Sequence, residues 1–443
     1  MRVVIELLTT PAMTLGLVAL AGLLAQRKPL SDTVRGTIKT VLGLLILTGG
    51  AGLISTALTP FNEMFTKGFG LTGVVPFDEA VIGALTEKVA TIARTTSFIL
   101  AFGFLINVLL ARLTPFKYIF LTGHMMWILA GGLSWAFYDL GAAEWETILY
   151  GSILQGMTLT VIPALAQPLM KRLTESDELA YGHLTTTGVV LSAWVGKRVG
   201  DADRSSEEVE LPKGLDFFRD TSISISLVMM VIYLVTALAA GPEFVQTLSG
   251  DQGWLTFTLL QAFSFAAGVL VLLQGVRMFL GEIVPAFRGI AMKWVPGAKP
   301  ALDCPIVFPY APTALMIGFL CCVAGMLVGM FASRVFHTVI PLPSIIGGFF
   351  TGGVAGIFGN VLGGRRGAAV SGFIYGLVLT IPVALFYPVL GLEEYGVQGI
   401  AFLVPDGILV LSVVALVVKL GVEWLFFVPF VALLAYGYWK SRG

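Results

Sequence analysis

Residues 314–333 read ALMIGFLCCVAGMLVGMFAS, a run without a single charged side chain. A helix of about 20 residues rises roughly 30 Å, the thickness of a bilayer's hydrocarbon core. In lipid such a helix satisfies its own backbone and needs no polar partner. Working outward, similar windows recur near residues 4–25, 38–58, 97–112, 118–138, 147–170, 221–241, 255–281, 335–360, 367–390 and 407–439. That makes about eleven predicted spans by the 20-residue criterion. The composition agrees: of 443 residues, 56% are hydrophobic and only 12% charged, against roughly a quarter charged in soluble domains. The runs are too continuous for the alternating pattern of an outer-membrane barrel. The predicted fold class is an all-α integral membrane protein.

The 27 basic and 27 acidic residues cancel, so net charge gives no case for a nucleic-acid partner. Their placement says more. Arg27, Lys28 and Arg35, then Arg112 and Lys117, Arg288, Lys293 and Lys299, Arg365 and Arg366, and Lys440 and Arg442 follow every second span. Asp139, Glu144 and Glu146, Glu243 and Asp251, and Glu393, Glu394 and Asp406 fall between the others. Basic residues mark cytoplasmic loops, so the N-terminus is expected outside and the C-terminus inside. The first run has its basic pair after it, not before, and reads as a retained span instead of a secretory signal. Cys304, Cys321 and Cys322 sit in apolar stretches without metal-ligand spacing and read as packing residues.

Two segments break the serpentine. Residues 78–94 place Val81, Leu85, Val89 and Ile92 on one helical face beside Glu87, Lys88 and Arg94, a pattern that suits either the membrane surface or a cavity. Residues 171–220 form a polar cytoplasmic segment in which Leu179 to Val195 is apolar enough to re-enter the membrane as a hairpin. Sliding the chain by 225 positions sets Gly43 on Gly268, Leu45 on Leu270, Leu47 on Leu272, Gly50 on Gly275 and Pro60 on Pro285. Weaker echoes pair Gly182-His183 with Gly359-Asn360, and Thr122-Gly123-His124 with Ala311-Pro312-Thr313. An odd number of crossings between related spans makes such repeats inverted, as in many transporters. The expected organisation is one polytopic domain over residues 1–443. Repeat one covers about 1–200, a cytoplasmic linker 198–220, repeat two 221–400 and a last span 407–439. Breaks are expected at Pro305, Pro309 and Pro312, and at Gly347-Gly348, Gly352-Gly353 and Gly363-Gly364, either to line a site or to let helices approach.

Ionisable groups in the membrane are costly and therefore functional candidates. His124 in LTGHMMW, His183 in the hairpin and Asp303 in ALDCPIVFPYAP stand out. An imidazole both donates and accepts and titrates near neutrality. Gln274 and Asn360 are further hydrogen-bonding candidates; Arg277 with Glu282 and the i,i+4 pair Lys419 and Glu423 read as structural, and His337 as solvated. There is no nucleophile elbow, phosphate-binding glycine loop or HExxH motif. No catalytic residue, metal site or cofactor is therefore expected, and a transporter is favoured over a membrane enzyme.

The runs GTIKTVLGLLILTGGAGL, LTGHMMW, QGVRMFLGEI, VPGAKPALDCPIVFPYAP and FGNVLGGRRGA resemble the ascorbate-specific membrane component, enzyme IIC, of the bacterial sugar phosphotransferase system. The resemblance extends from about residue 30 to the last span. It implies a homodimer of eleven-span protomers in the bacterial cell membrane, each with a core and a scaffold domain, moving solute by an elevator-like shift. It also implies soluble IIA and IIB partners that relay a phosphoryl group, so phosphoryl transfer would not be this chain's own chemistry. The family's substrate contacts fall here on His124, His183 and Asp303. Two family glutamines are replaced by Ile128 and Leu184, and a Thr-Tyr pair by Asp78 and Glu79. Each unpaired polar group of a ligand costs roughly 1–3 kcal/mol, so ascorbate itself is a poor fit and a related small polar solute a better one. Within transport, a proton-coupled or facilitative carrier without a relay is the alternative. A solute-sensing receptor is a third reading, which the broken helices disfavour.

Overall fold

The computed structural model describes residues 11–70, 73–209, 220–337, 339–389, 391–395 and 400–442. The first ten residues and the linker centre, 210–219, lie outside them. Helix α1 (Pro11–Ala25) leads into α2 (Leu30–Phe69), a 40-residue helix that ends where Gly70 turns left-handed (φ +64°). Then come β1 (Gly73–Pro76), α3 (Asp78–Lys88), α4 (Ala90–Leu113), β2 (Tyr118–Phe120), α5 (Gly123–Asp139), α6 (Glu144–Thr174), β3 (Ala180–Tyr181) and α7 (Thr186–Val199). Beyond the linker run α8 (Thr221–Ala240), α9 (Pro242–Leu248), the 41-residue α10 (Trp254–Trp294), β4 (Lys299–Leu302) and α11 (Pro312–Ser333). The chain closes with β5 (Ile340–Pro341), α12 (Gly353–Val378), α13 (Ile381–Phe386), β6 (Ile400–Ala401), α14 (Pro405–Lys419) and α15 (Phe427–Arg442).

The helices sort into two packed groups. The long α2 and α10 lie against one another, with α1 and α8 beside them. In the other group α11 packs on α12, α12 on α7, and α4 on α6 and α5. Close approach there depends on glycine: a Cβ at Gly318 of α11 would sit 2.6 Å from the Gly356 Cα and 2.7 Å from the Gly352 carbonyl oxygen of the facing helix. Among the described residues, five helices are long and apolar enough to cross a membrane, or six if the bent pair α8 and α9 forms one span. Their outer faces leave Leu105, Leu238, Leu320 and Phe331 exposed, as lipid contact requires. This is a mainly helical, multi-pass membrane protein.

Several predicted spans are interrupted. Residues 118–138 divide into β2 and the 17-residue α5. Residues 335–360 begin with a short turn and β5 before a helix starts at Ile345, passes through a π turn (Gly348–Gly352) and becomes α12. Residues 407–439 divide into α14 and α15 around Gly421 (φ +65°), so Lys419 and Glu423 no longer share a helix face. The paired glycines at 363 and 364 do break α12. Gly364 has φ +59°, and a Cβ there would lie 2.1 Å from the Asp201 carbonyl oxygen. The prolines at 305, 309 and 312 fall in two 3-10 turns and the first turn of α11. The amphipathic segment 78–94 is α3, a break at Val89 and the start of α4, with Val81, Ile82 and Leu85 fully buried and α3 packed on α5.

Among the described residues, two small parallel sheets tie the chain together. In one, β1 is the middle strand between β5 and β6; in the other, β4 is the middle strand between β2 and β3. Each sheet therefore takes its centre from one side of the linker and both edges from the other. β4 follows β1 by 226 residues, β5 follows β2 by 222 and β6 follows β3 by 220, close to the 225-residue offset in the sequence. The two weaker echoes do not keep this spacing: Gly182-His183 follows a strand, whereas Gly359-Asn360 lies within α12.

Candidate functional site

Strands β2, β4 and β3 run parallel, pairing Tyr118 with Lys299, Phe120 with Ala301, and Tyr181 with Leu302. Their C-terminal ends therefore point the same way. The backbone just beyond each end carries one predicted site residue: His124 after β2, His183 after β3 and Asp303 after β4. Hydrogen bonds continue past the strands, with the Leu121 N–H donating to the Ala301 carbonyl (2.9 Å) and the Gly182 N–H to that of Leu302 (2.8 Å). The Thr122 hydroxyl donates to the Gly182 carbonyl at 2.5 Å. Asn107 of α4 holds β2 from outside. Its Oδ1 accepts the Phe120 N–H (3.1 Å), while its Nδ2 donates to the Tyr118 carbonyl (3.0 Å) and the Thr160 hydroxyl (2.8 Å).

His124, His183 and Asp303 are all buried, each under a tenth exposed. Asp303 Oδ2 lies 3.9 Å from His124 Nε2, and Oδ1 lies 3.8 Å from His183 Nε2. The two imidazoles meet edge to face with centroids 6.1 Å apart. These separations are too long for hydrogen bonds. Three polar groups thus face one another across a gap of about one atom, in surroundings where an unmet polar group costs free energy. The His124 Nδ1 is buried and has no partner among the described residues. His183 is fixed more tightly: its Nδ1 shares a 2.7 Å hydrogen bond with the Thr185 hydroxyl, and the Tyr181 ring stacks on it at 6.1 Å. The Cys304 N–H donates to Asp303 Oδ1 (2.6 Å) and sets the carboxylate plane. The arrangement can accept from or donate to one small polar ligand, or hold a cation.

The other predicted residues separate. Ile128, one turn beyond His124 on α5, and Leu184, next to His183, are buried apolar neighbours of the cluster. Glu79 lies beside Asp78 in the first turn of α3 and is partly exposed. Asp78 is engaged elsewhere, its Oδ1 accepting the N–H groups of Leu403 (2.8 Å) and Val404 (3.3 Å). Asn360 is also committed, accepting the Ser206 N–H (2.8 Å) and donating to the Ser205 hydroxyl (3.2 Å). Gln274 and His337 are exposed, and the side chains of Arg277 and Glu282 lie outside the described residues.

Sequence reasoning passed over Thr185, Tyr181 and Asp406. Asp406 was assigned to an external acidic loop but is buried, accepting the Thr187 N–H (3.2 Å) and hydroxyl at the start of α7. The TTT run at 185–187 was the available signal, since consecutive hydroxyls at a helix start are suited to capping.

Residues 6–406 match the family described as EIIC-GAT, the PTS system sugar-specific permease component. The chain belongs to this family. The ascorbate-specific PTS system EIIC component of Mycoplasma pneumoniae is 29% identical over 429 residues, an alignment covering 85% of this chain. It covers 65% of that protein, so the chain spans about two-thirds of the length of the curated relative it matches. In this EIIC-GAT chain, Asp303 comes from the far side of the linker relative to both histidines.

Proposed function

We propose that the protein carries a small polar solute of the ascorbate or sugar-acid class across the bacterial cytoplasmic membrane, as the membrane component of a phosphotransferase system. His124, His183 and Asp303 line the solute site, with Glu79 at its edge and Ile128 and Leu184 as apolar walls. Asp78 belongs to the framework. The observation that carries this reading is the buried, mutually unsatisfied cluster of two imidazoles and a carboxylate at the common end of three strands.

The strand exchange and near-constant spacing support two inverted repeats, over about 1–200 and 221–400, with residues 179–195 as a re-entrant hairpin. The group around α2 and α10 then serves as scaffold and dimer interface, and the group around α11 and α12 as the core that moves in an elevator-like shift. The N-terminus lies outside and the C-terminus inside. Soluble IIB and IIA proteins deliver the phosphoryl group, so the chain itself is no enzyme.

Purified protein in liposomes, offered a labelled panel including ascorbate with and without IIB-like partners and a pH gradient, is expected to take up at least one such solute. Partner dependence marks the relay, and uptake that follows the pH gradient alone marks a proton-coupled carrier. Movement of no solute under any condition would overturn the transport reading.

A further inference from the structure

The donor atoms of His124, His183 and Asp303 all lie within 4.8 Å of one another. Two imidazoles and one carboxylate are the donor set that first-row divalent metals such as zinc and cobalt accept. Small inward shifts bring the donors to the ~2.0–2.2 Å of zinc–nitrogen and zinc–oxygen bonds. The surroundings fit as well. Histidines that bind metal through one ring nitrogen are held through the other. The Thr185 hydroxyl, 2.7 Å from His183 Nδ1, can accept its N–H and leave the Nε2 lone pair facing Asp303. His124 Nε2 faces the same carboxylate 3.9 Å away, but its buried Nδ1 has no partner among the described residues, so of the two histidines only His183 is held from behind.

The lining gives a second reason. Ile128 and Leu184 are buried and offer a polar solute no hydrogen bonds beside the cluster, so an ion held there would supply the polar contact that these walls do not.

We infer that His124, His183 and Asp303 bind a divalent first-row metal ion, whose open position takes an oxygen of the solute. The ion offers the solute a positive centre for its oxygens, and so does the work that amide side chains would otherwise do. This runs against the sequence expectation of no metal. The metal part stands alone; the solute part rests on the transport reading above.

Cobalt(II) is the probe, titrated into metal-free protein in detergent and read by its visible absorption, with zinc as competitor. One cobalt per chain with a four-coordinate spectrum is expected, displaced by zinc. His124→Gln and Asp303→Asn should abolish the spectrum, Thr185→Val should weaken affinity ~10–100-fold as loss of an outer-shell partner does, and His337→Ala should change nothing. Size-exclusion profiles establish that each variant is folded. No cobalt spectrum in wild-type protein, or an unchanged one in both His124→Gln and Asp303→Asn, would overturn the inference. Full solute uptake by protein verified as metal-free would overturn the solute part of the inference, while leaving the transport reading intact. Metal binding in a protein that moves no solute would support the site and count against transport.

Discussion

Each of the three polar residues in the cluster lacks a direct hydrogen bond to the others, which separates a binding role from a structural one. A structural Asp–His pair closes to about 2.7–2.9 Å; here the separations are 3.8 and 3.9 Å. Loss of a charged hydrogen-bonding partner costs roughly 1.5–3 kcal/mol, or about 10–100-fold in affinity. His124→Ala and Asp303→Asn should therefore abolish measurable uptake at low solute concentration while leaving assembly intact, as size exclusion would show. Disruption of assembly in both variants would give these residues back to the framework. The converse test restores what is missing. With His124 and His183 in place, Ile128→Gln and Leu184→Gln should each improve affinity for ascorbate up to about 10-fold, read as a lower KM in liposomes. Unchanged KM in the double variant would mean that these walls do not face the solute.

Helices and strands differ in how well the sequence announces them. At Gly318 the facing atoms are backbone, which cannot move aside as a flexible side chain can, so Gly318→Ala should lower stability by about 1–3 kcal/mol. Thermal unfolding in detergent, compared with an alanine at the open Gly253, measures it. The end of the β2-β4-β3 sheet away from the histidines is held by charge. Asp177 meets Lys171 at 2.8 Å, Lys299 at 2.5 Å and Gln167 at 2.8 Å. Desolvation raises its pKa, but these partners outweigh it and hold the carboxyl well below the usual carboxylate range. A depressed folded-state pKa stabilises fully above the unfolded value of ~3.9 and fades as pH falls further. Asp177→Asn should therefore melt below wild type at pH 7, and the gap should narrow below about pH 4.

The apolar helices were legible because a bilayer demands long uncharged runs. The strands were not: YIF at 118–120 and AY at 180–181 carry no local alternation, and their partner Lys299–Leu302 lies more than a hundred residues away. The cluster was legible because ionisable groups are rare in apolar runs. Thr185 and Asn107, which position it, were not, since a hydroxyl or amide in a helix is commonplace until its partner is known. The partners of Asp78, two backbone N–H groups across the other sheet, were hidden for the same reason.

At the scale of the molecule, strand exchange has the largest consequence. Among the described residues all four strand pairings, β1 with β5 and β6, and β4 with β2 and β3, join residues before the linker to residues after it. Asp78 and Asp406 make the same crossing, the first from before the linker to Leu403 and Val404, the second from after it to Thr187. Asp303 meets both histidines only through that exchange. Neither half can complete either described sheet or the cluster alone, and each would leave strand edges unpaired and open to mispairing. Residues 1–209 and 220–443 expressed as separate chains should therefore aggregate or be degraded when produced singly. Co-expressed, they should associate, copurify and regain uptake, because the pairings need proximity and not a continuous chain. A soluble, monodisperse preparation of either half in detergent, with hydrogen-exchange protection at its strand residues, would show that the halves fold first and dock later.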